Sequence, residues 1–426
     1  MNNYLEKNYY TNITNVHLIF KFFFISLCSN NNIVEINKKY IKINKIIIIF
    51  LFLILSNNSS KLNIFFQKNN KKNLLLWENI ETYYQLCNNG ILKNNIKFQK
   101  LENPKISIIS PNHNREKYIL RLLRSIQNQF FDDIEIILVD DFSNDNSIKL
   151  IEEYQKNDER IILIKNKKNK GTLISRNIGI LNSKGEYIIV PDIDDILIPN
   201  ILQTCYEISK QNNYELIRFN IYKGNYTIFF GYIVDEIEAR TIYQPELSTY
   251  LFYGMGILQQ IDFNLSNKFI KRNCYIRALN SMDNFYLNQY MVNLEDGIMN
   301  YILYRSAKSF YFIKTVGYYY LQNSQSITIR PTENFDEKIR FIFIHLKFVF
   351  ENTKNNKYEK DMADSLFSRL YFLLENDFNL ITKDFKFYID IINMYLNCNF
   401  ISNKNKLILK ELKLIIKNKE INKIYK

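Results

Sequence analysis

A chain of 426 residues with 47% hydrophobic and 23% charged side chains has room for one large domain or two to three ordinary ones, and its many Ile, Leu, Phe and Tyr residues exclude intrinsic disorder. Ten Gly and six Pro exclude a collagen-like or flexible-linker architecture; five scattered Cys with no CxxC, and only His17, His113 and His345, argue against a zinc ribbon, a disulfide scaffold or a His-rich metal site. The net charge of +13 suits anionic partners, but the Lys excess is spread through an Asn- and Ile-rich chain with no nucleic-acid-binding motif, so no nucleic-acid partner is expected.

Residues 1–100 differ from the rest. Val16–Cys28 is apolar but interrupted by Lys21, whereas Ile46–Ser56 is an unbroken run of 11 residues, apolar through Leu55. That is short of the roughly 20 a spanning helix needs, and it fits a short signal anchor or signal-peptide core, with a buried element as the plain alternative. Lys38, Lys39, Lys42 and Lys45 precede the run and no charge follows it before Lys61, which puts the N-terminus in the cytosol. The expectation is membrane attachment through this segment, as a single-pass type II protein of the Golgi or ER, or else a peripheral protein facing the cytosol. Asn57 and Asn58 begin glycosylation sequons just past the run, a triplet that arises easily in an Asn-rich chain.

From Lys105 the pattern alternates. Lys105–Ser110 reads as a strand; Glu116–Gln127, with apolar residues at 118, 119, 122, 123 and 126, as a helix. Ile134–Val139 is a nearly continuous apolar strand, as in a sheet covered on both faces. A helix Ser147–Tyr154 follows, with Asn144 to Asn146 as candidate caps, then a strand Ile161–Ile164, a helix Thr172–Leu181 and a strand Tyr187–Val190. This order predicts an α/β fold with a doubly wound, mostly parallel sheet over 104–221. Residues 222–330 are aromatic-rich and mixed, and should complete the sheet as a second half. Residues 331–426 carry helical patterns at Phe335–Phe350 and Tyr358–Leu374, ending in the Lys-rich amphipathic stretch Lys404–Lys426, which reads as a solvated helix face or, less simply, as a membrane-surface helix.

Ligands of such sheets bind at the carboxyl ends of the strands. The first strand leads into Ser110-Pro-Asn-His-Asn114, which has no Gly, so the GxGxxG dinucleotide loop is absent; no Gly-Lys pair occurs, so a Walker A loop is excluded. The second leads into Asp140-Asp141-Phe-Ser-Asn-Asp145 and the fourth into Asp192-Ile-Asp194-Asp195. Either cluster alone could be a solvated turn. Two on one sheet edge suit Mg²⁺ or Mn²⁺, which take one or two Asp plus substrate phosphates. Arg176, in the third helix, could hold phosphate oxygens bidentately or simply face solvent.

Taken together, the segments ISIISPNHNREKYI, SIQNQFFDDIEIILVDDFSNDNS, NKGTLISRNIGILNSKGEYIIVPDIDD, LSNKFIKRNCY, LEDG and YYYLQNSQSIT, in that order over about Pro104–Arg330, resemble the family 2 glycosyltransferases of GT-A fold. The resemblance implies a nucleotide-sugar-binding half (104–221), an acceptor-binding half (222–330) and inverting, non-processive transfer of a hexose or N-acetylhexosamine. The donor would be a nucleoside diphosphate sugar, usually UDP-linked, and the acceptor a hydroxyl of a glycan, glycolipid or glycoprotein. Carried over by position, Pro111, His113 and Asp141 fall on the base side, Arg176 beside the nucleotide, and Asp192 and Asp194 on the DxD. Asp194 and Asp195 would meet the ribose and the metal-bound diphosphate, with Mn²⁺ or Mg²⁺ as cofactor. Asp296 falls at the catalytic base, with Glu295 beside it on the acceptor side. The same pair could serve as a cap and first-turn acid of a helix Gly297–Arg305.

Three positions depart from the family pattern: Phe142 where Gly is usual, Pro191 before the DxD, and His113 at an aromatic position. A bulky Phe142 could narrow the nucleotide pocket. The QxxRW motif of the processive synthases is missing, and the only Trp is Trp77. A nucleotidyltransferase, which usually opens with a Gly-rich basic loop, and a catalytically inactive sugar- or nucleotide-binding module remain as alternatives.

Overall fold

Short, nearly continuous apolar runs build the strands between 105 and 190, and stripes at helical spacing build the helices that cover them. In the computed structural model residues 87, 97–225, 231–234, 240–243, 264–292, 295–322, 335–352, 384–397 and 401–424 are described, all of them after Asn58, in the second of the two units into which the chain divides. The expected anchor at 46–56, its sequons and the helical pattern Tyr358–Leu374 lie outside the described residues. No helix among the described residues is long and apolar enough to cross a membrane.

The first half contains β1 (Ile106–Asn112), α1 (Glu116–Gln127), β2 (Ile134–Asp140), α2 (Ser147–Gln155), β3 (Ile161–Lys165), α3 (Thr172–Leu181) and β4 (Tyr187–Ile189). β1 lies parallel between β2 and β4, and β3 extends the sheet beyond β2. Side chains alternate across the sheet. Ile106, Ile108, Ile136 and Leu138 pack with Ile119, Leu122 and Leu123 of α1, while Ile109, Ile137 and Val139 pack on the other face with Leu173 and Ile180 of α3. β4 ends one residue short of the expected Val190, just ahead of Pro191, which has no N–H to give a neighbouring strand. The cap of α2 also differs from expectation: Asn146 makes no side-chain cap bond, and Asp145 accepts from Ser147 N at 3.0 Å.

The second half adds β5 (Ile196–Leu197), α4 (Ile201–Asn212), β6 (Leu216–Asn225), β7 (Gly231–Val234), β8 (Arg240–Tyr243), β9 (Lys268–Lys271), α5 (Arg272–Asn280), α6 (Asn284–Leu287), α7 (Glu295–Ser306) and β10 (Ser309–Gln322). The sheet runs β3-β2-β1-β4-β9-β6-β10-β5, with β7 beside β6 and β8 beside β10. It is parallel from β3 to β4. Beyond that β9 pairs antiparallel with both β4 and β6, and only β6–β10 is parallel again, so the sheet as a whole is mixed. β6 runs through position 221, the expected boundary, so the two halves share one continuous sheet. Strand β10 is irregular at Phe312–Tyr318 against β6.

Three further helices, α8 (Phe335–Asn352), α9 (Phe385–Leu396) and α10 (Asn403–Ile424), extend the core that α7 begins. Ile339, Phe343 and Leu346 join Tyr388, Ile391 and Tyr395, and these meet Leu409, Leu412 and Ile416 in one buried cluster with Ile298 and Ile302 of α7. The Tyr395 hydroxyl donates to the Leu346 carbonyl at 2.7 Å, so the buried phenol keeps a partner.

Candidate active site

The loops following β1, β2, β3 and β4 gather at the carboxyl edge of the parallel strands, as the topology requires. The loop after β4 is held by a residue the sequence did not single out. The Tyr318 hydroxyl, buried on β10, donates to Asp195 Oδ2 (2.7 Å) and accepts from Asp192 N (3.0 Å). Leu321 N donates to Asp195 Oδ1 (2.9 Å). Asp195 is 1% exposed, and both its oxygens are engaged by the strand behind it. Burial and the adjacent Asp194 and Asp192 push its acid well above the usual carboxylate range. Asp195, expected at the metal, is placed here as a strut that fixes the loop from behind. Arg121 also ties the loop down, donating from Nη2 to the Asp194 carbonyl.

Arg176 also differs from expectation. It is 1% exposed and does not reach out for phosphate. Its Nη1 donates to Asp296 Oδ1 at 2.6 Å and lies 3.5 Å from Glu295 Oε1, and its Nη2 donates to Asp192 Oδ1 at 3.3 Å. One guanidinium thus joins the first Asp of the DxD to the Glu295-Asp296 pair, across 120 residues of sequence. Burial opposes its charge, but Asp296, Glu295 and Asp192 outweigh that and hold the guanidinium firmly ionised. One cation facing three carboxylates leaves a surplus of negative charge. Glu295 is pushed above its ordinary value by burial and by Asp296, and Asp192 by burial and by Asp296 and Asp194, each against the pull of Arg176.

Glu295 and Asp296 do not precede a helix starting at Gly297; they form the first turn of α7 itself, where the helix dipole favours negative charge. Their side chains differ in access. Glu295 is 8% exposed and Asp296 22%. Asp296 Oδ2 accepts from Leu265 N at 3.2 Å, so its plane is held from two sides while part of it faces outward.

A third group forms the floor on the β2 side. Asp141 is buried, and its carboxylate accepts from Asn166 Nδ2, Lys170 N and Gly171 N, each at 2.8 Å. These bonds fix the loop between β3 and α3, where Gly171 has φ +86° and a Cβ would lie 2.7 Å from the Met291 carbonyl oxygen. The His113 ring pairs Nδ1 with the Asp141 carbonyl (2.9 Å) and Nε2 with the Asn169 amide (3.3 Å). A carbonyl can only accept, so Nδ1 carries the proton and Nε2 accepts. Pro111 is a partly buried residue of β1 opposite Val139. Asp141 and His113 are thus brought together, and Asp192, Arg176, Glu295 and Asp296 form a second group. Of the residues that complete these networks, Asn166 carries no signal of its own in an Asn-rich chain, whereas Tyr318 opens the segment YYYLQNSQSIT, which gave it a place in the pattern but no role.

Phe142 has φ +68°, which accounts for the Gly usual there, and its ring is 50% exposed rather than packed under the loop. A left-handed non-Gly residue is strained by about 1–2 kcal/mol, and a Gly returns part of that through chain entropy. Phe142→Gly should therefore raise stability by about 0.5–1 kcal/mol, read as a higher urea midpoint with an unchanged slope.

Asp192 and Asp194 are partly exposed oxygen donors on the turn after β4. They fit a hard divalent cation that takes one or two carboxylates and completes its shell with phosphate oxygens and water. Among the described residues no cluster of three or more acidic, His or Cys side chains forms a closed metal cage.

Residues 107–270 match the model of Glycosyl transferase family 2. The chain is 30% identical to glycosyltransferase GlyG of Streptococcus pneumoniae over 161 residues, 36% of this chain and 54% of that protein, so it spans about half of that relative's length. It is 26% identical to the GalNAc(5)-diNAcBac-PP-undecaprenol beta-1,3-glucosyltransferase of Campylobacter jejuni over 289 residues, 66% of this chain and 85% of that one. The fold is similar to that of S. aureus TarS 1-349 crystallised with UDP-GlcNAc, with a TM-score of 0.55 at 16% identity over 74% of this chain and 89% of that one; this likeness establishes the GT-A fold. The ordered motifs, the mixed sheet with its acidic edge and the matched stretch agree: residues 107–270 belong to glycosyl transferase family 2.

Proposed function

We propose that this protein transfers a hexose or N-acetylhexosamine from a nucleoside diphosphate sugar, most simply a UDP-sugar, to a hydroxyl of a glycan acceptor, with inversion at the anomeric carbon. The observation that carries this reading is the Arg176 bridge, which ties Asp192 of the DxD and Asp296 to the two terminal nitrogens of one guanidinium. The UDP-GlcNAc complex of TarS and the lipid-linked glycan acceptor of the Campylobacter relative support a UDP-sugar donor and a glycan acceptor. The expected N-terminal anchor would keep the enzyme at a membrane.

In this reading His113 and the loop held by Asp141 line the base side. Asp192 and Asp194 would hold Mn²⁺ or Mg²⁺, which when bound supplies positive charge to the departing diphosphate. Asp296 takes the proton of the acceptor hydroxyl as its oxygen bonds to the anomeric carbon, and the bond from that carbon to the diphosphate oxygen breaks on the opposite face. Arg176 and Glu295 hold Asp296 in place. Asp195 and Tyr318 keep the DxD turn rigid, so the carboxylates need not reorganise during the reaction.

The test is a screen of UDP-, GDP- and CMP-sugars with Mn²⁺, with Mg²⁺ and with EDTA. Release of UDP from one donor, dependent on metal, is the expected result. Asp194→Ala should weaken metal-dependent UDP binding by about tenfold or more, comparable to the loss of one charge-assisted contact. Binding that ignores both EDTA and this substitution would refute the metal role. Folded protein that takes up no donor would refute the transferase reading.

A further inference from the structure

Helix α10 has two apolar stripes, and the core uses only one. Leu409, Leu412 and Ile416 are buried at helical spacing against α9 and its neighbours. On the opposite side Leu407, Leu414 and Ile421 are 70%, 60% and 50% exposed. Their spacing of seven places them on nearly one line, and at 1.5 Å per residue the line is about 21 Å long. Lys406, Lys410, Lys413 and Lys417 run along one flank of this line and Lys404 stands on the other. The helix carries seven lysines and two glutamates.

We propose that this face of α10 docks on a bilayer surface containing anionic lipid. Leu407, Leu414 and Ile421 would enter the boundary between headgroups and acyl chains, with the flanking lysines on the lipid phosphates. Charge decides against a second copy of this chain: self-pairing would bring two Lys-rich helices together, and one exposed apolar residue per heptad is half of what a coiled-coil seam uses. Packing of the buried stripe presents the exposed one on an already folded helix, so binding has no helix to form first. The surface is separate from the Arg176–Asp296 cluster, so the proposal stands or falls independently of the transferase reading.

Trp77 is the only Trp in the chain, so a full-length variant carrying Trp77→Phe and Leu414→Trp reports from α10 alone. A local probe is needed because the apolar run 46–56 could bring the whole chain down with any vesicle. The expected result is a blue shift of the indole emission with phosphatidylcholine vesicles containing phosphatidylglycerol, and none with phosphatidylcholine alone. Adding Lys410→Gln, Lys413→Gln and Lys417→Gln should weaken this response about 100-fold, at roughly fivefold per lysine near an anionic surface. These positions are exposed or partly exposed, and circular dichroism should stay unchanged. The proposal is overturned if the introduced indole does not respond to anionic vesicles, if it responds equally to neutral ones, or if it shifts without vesicles as protein concentration rises, which would make the partner a second copy.

Discussion

Asp296→Asn is expected to lower sugar transfer by about 10²–10⁴-fold, the range for loss of a positioned general base, while donor binding stays near the wild-type level. Asn can still accept the Leu265 N–H, so the backbone at 265 keeps its partner, and it occupies the same volume at the start of α7. It cannot take a proton from a hydroxyl. Asp296 rather than Glu295 is the base in this reading because it is the more exposed of the two and is fixed on both oxygens. Glu295 is nearly enclosed, and burial pushes its acid upward. Calorimetric titration with UDP-sugar beside a transfer assay separates the two effects. Equal loss of binding and turnover would refute the base assignment, and Glu295→Gln with a larger loss of turnover than Asp296→Asn would transfer the role to its neighbour.

Arg176→Met is expected to destabilise the fold by about 3–5 kcal/mol, the range for removing one partner of a buried ion pair, and to abolish transfer. The guanidinium is the only cation seen to pair with Asp192, Glu295 and Asp296 among the described residues. Without it three carboxylates would face one another in a partly dry site, and at least one would take up a proton. Urea unfolding gives the stability change directly. Arg176→Lys restores the charge but not the fork, since one ammonium cannot reach Asp296 and Asp192 in the same planar geometry. It should recover stability more than turnover. A double-mutant cycle of Arg176→Met with Asp296→Asn should be far from additive, because the second substitution removes one of the charges that the first leaves unpaired. Additive losses would mean that the two residues act independently, and the bridge would then have no part in the mechanism.

Both predictions depend on contacts that the sequence shows only in part. The parallel half was legible because its signals are local: nearly continuous apolar runs at Ile106–Ile109 and Ile134–Val139, helical stripes in Glu116–Gln127 and Thr172–Leu181, and acidic turns after β2 and β4. The Asp-rich turns could be placed on one edge because parallel strands joined by helices must end on the same side. Asp141, Asp192 and Asp194 could be named for the same reason, whereas Asp296 was named only through the resemblance of LEDG to the family pattern.

Their duties were not legible. Asp194 and Asp195 are adjacent and identical in type, yet only Asp195 meets Tyr318 and the Leu321 N–H, and which one turns inward depends on a strand more than 120 residues later. Within its own segment Arg176 reads as a phosphate ligand or a surface residue; α7, packed against α3, makes it an internal bridge. The antiparallel strands β9 and β6 and the irregularity in β10 likewise answer to long-range pairing rather than to local periodicity. The sequence by itself determined the strand and helix order of residues 106–189, the chemical identity of the acidic edge and the family that residues 107–270 match. Only the tertiary structure decided which carboxylates stay partly exposed, which are struts and which share a cation, because burial and charge pairing are set by groups that are distant along the chain and adjacent only after folding.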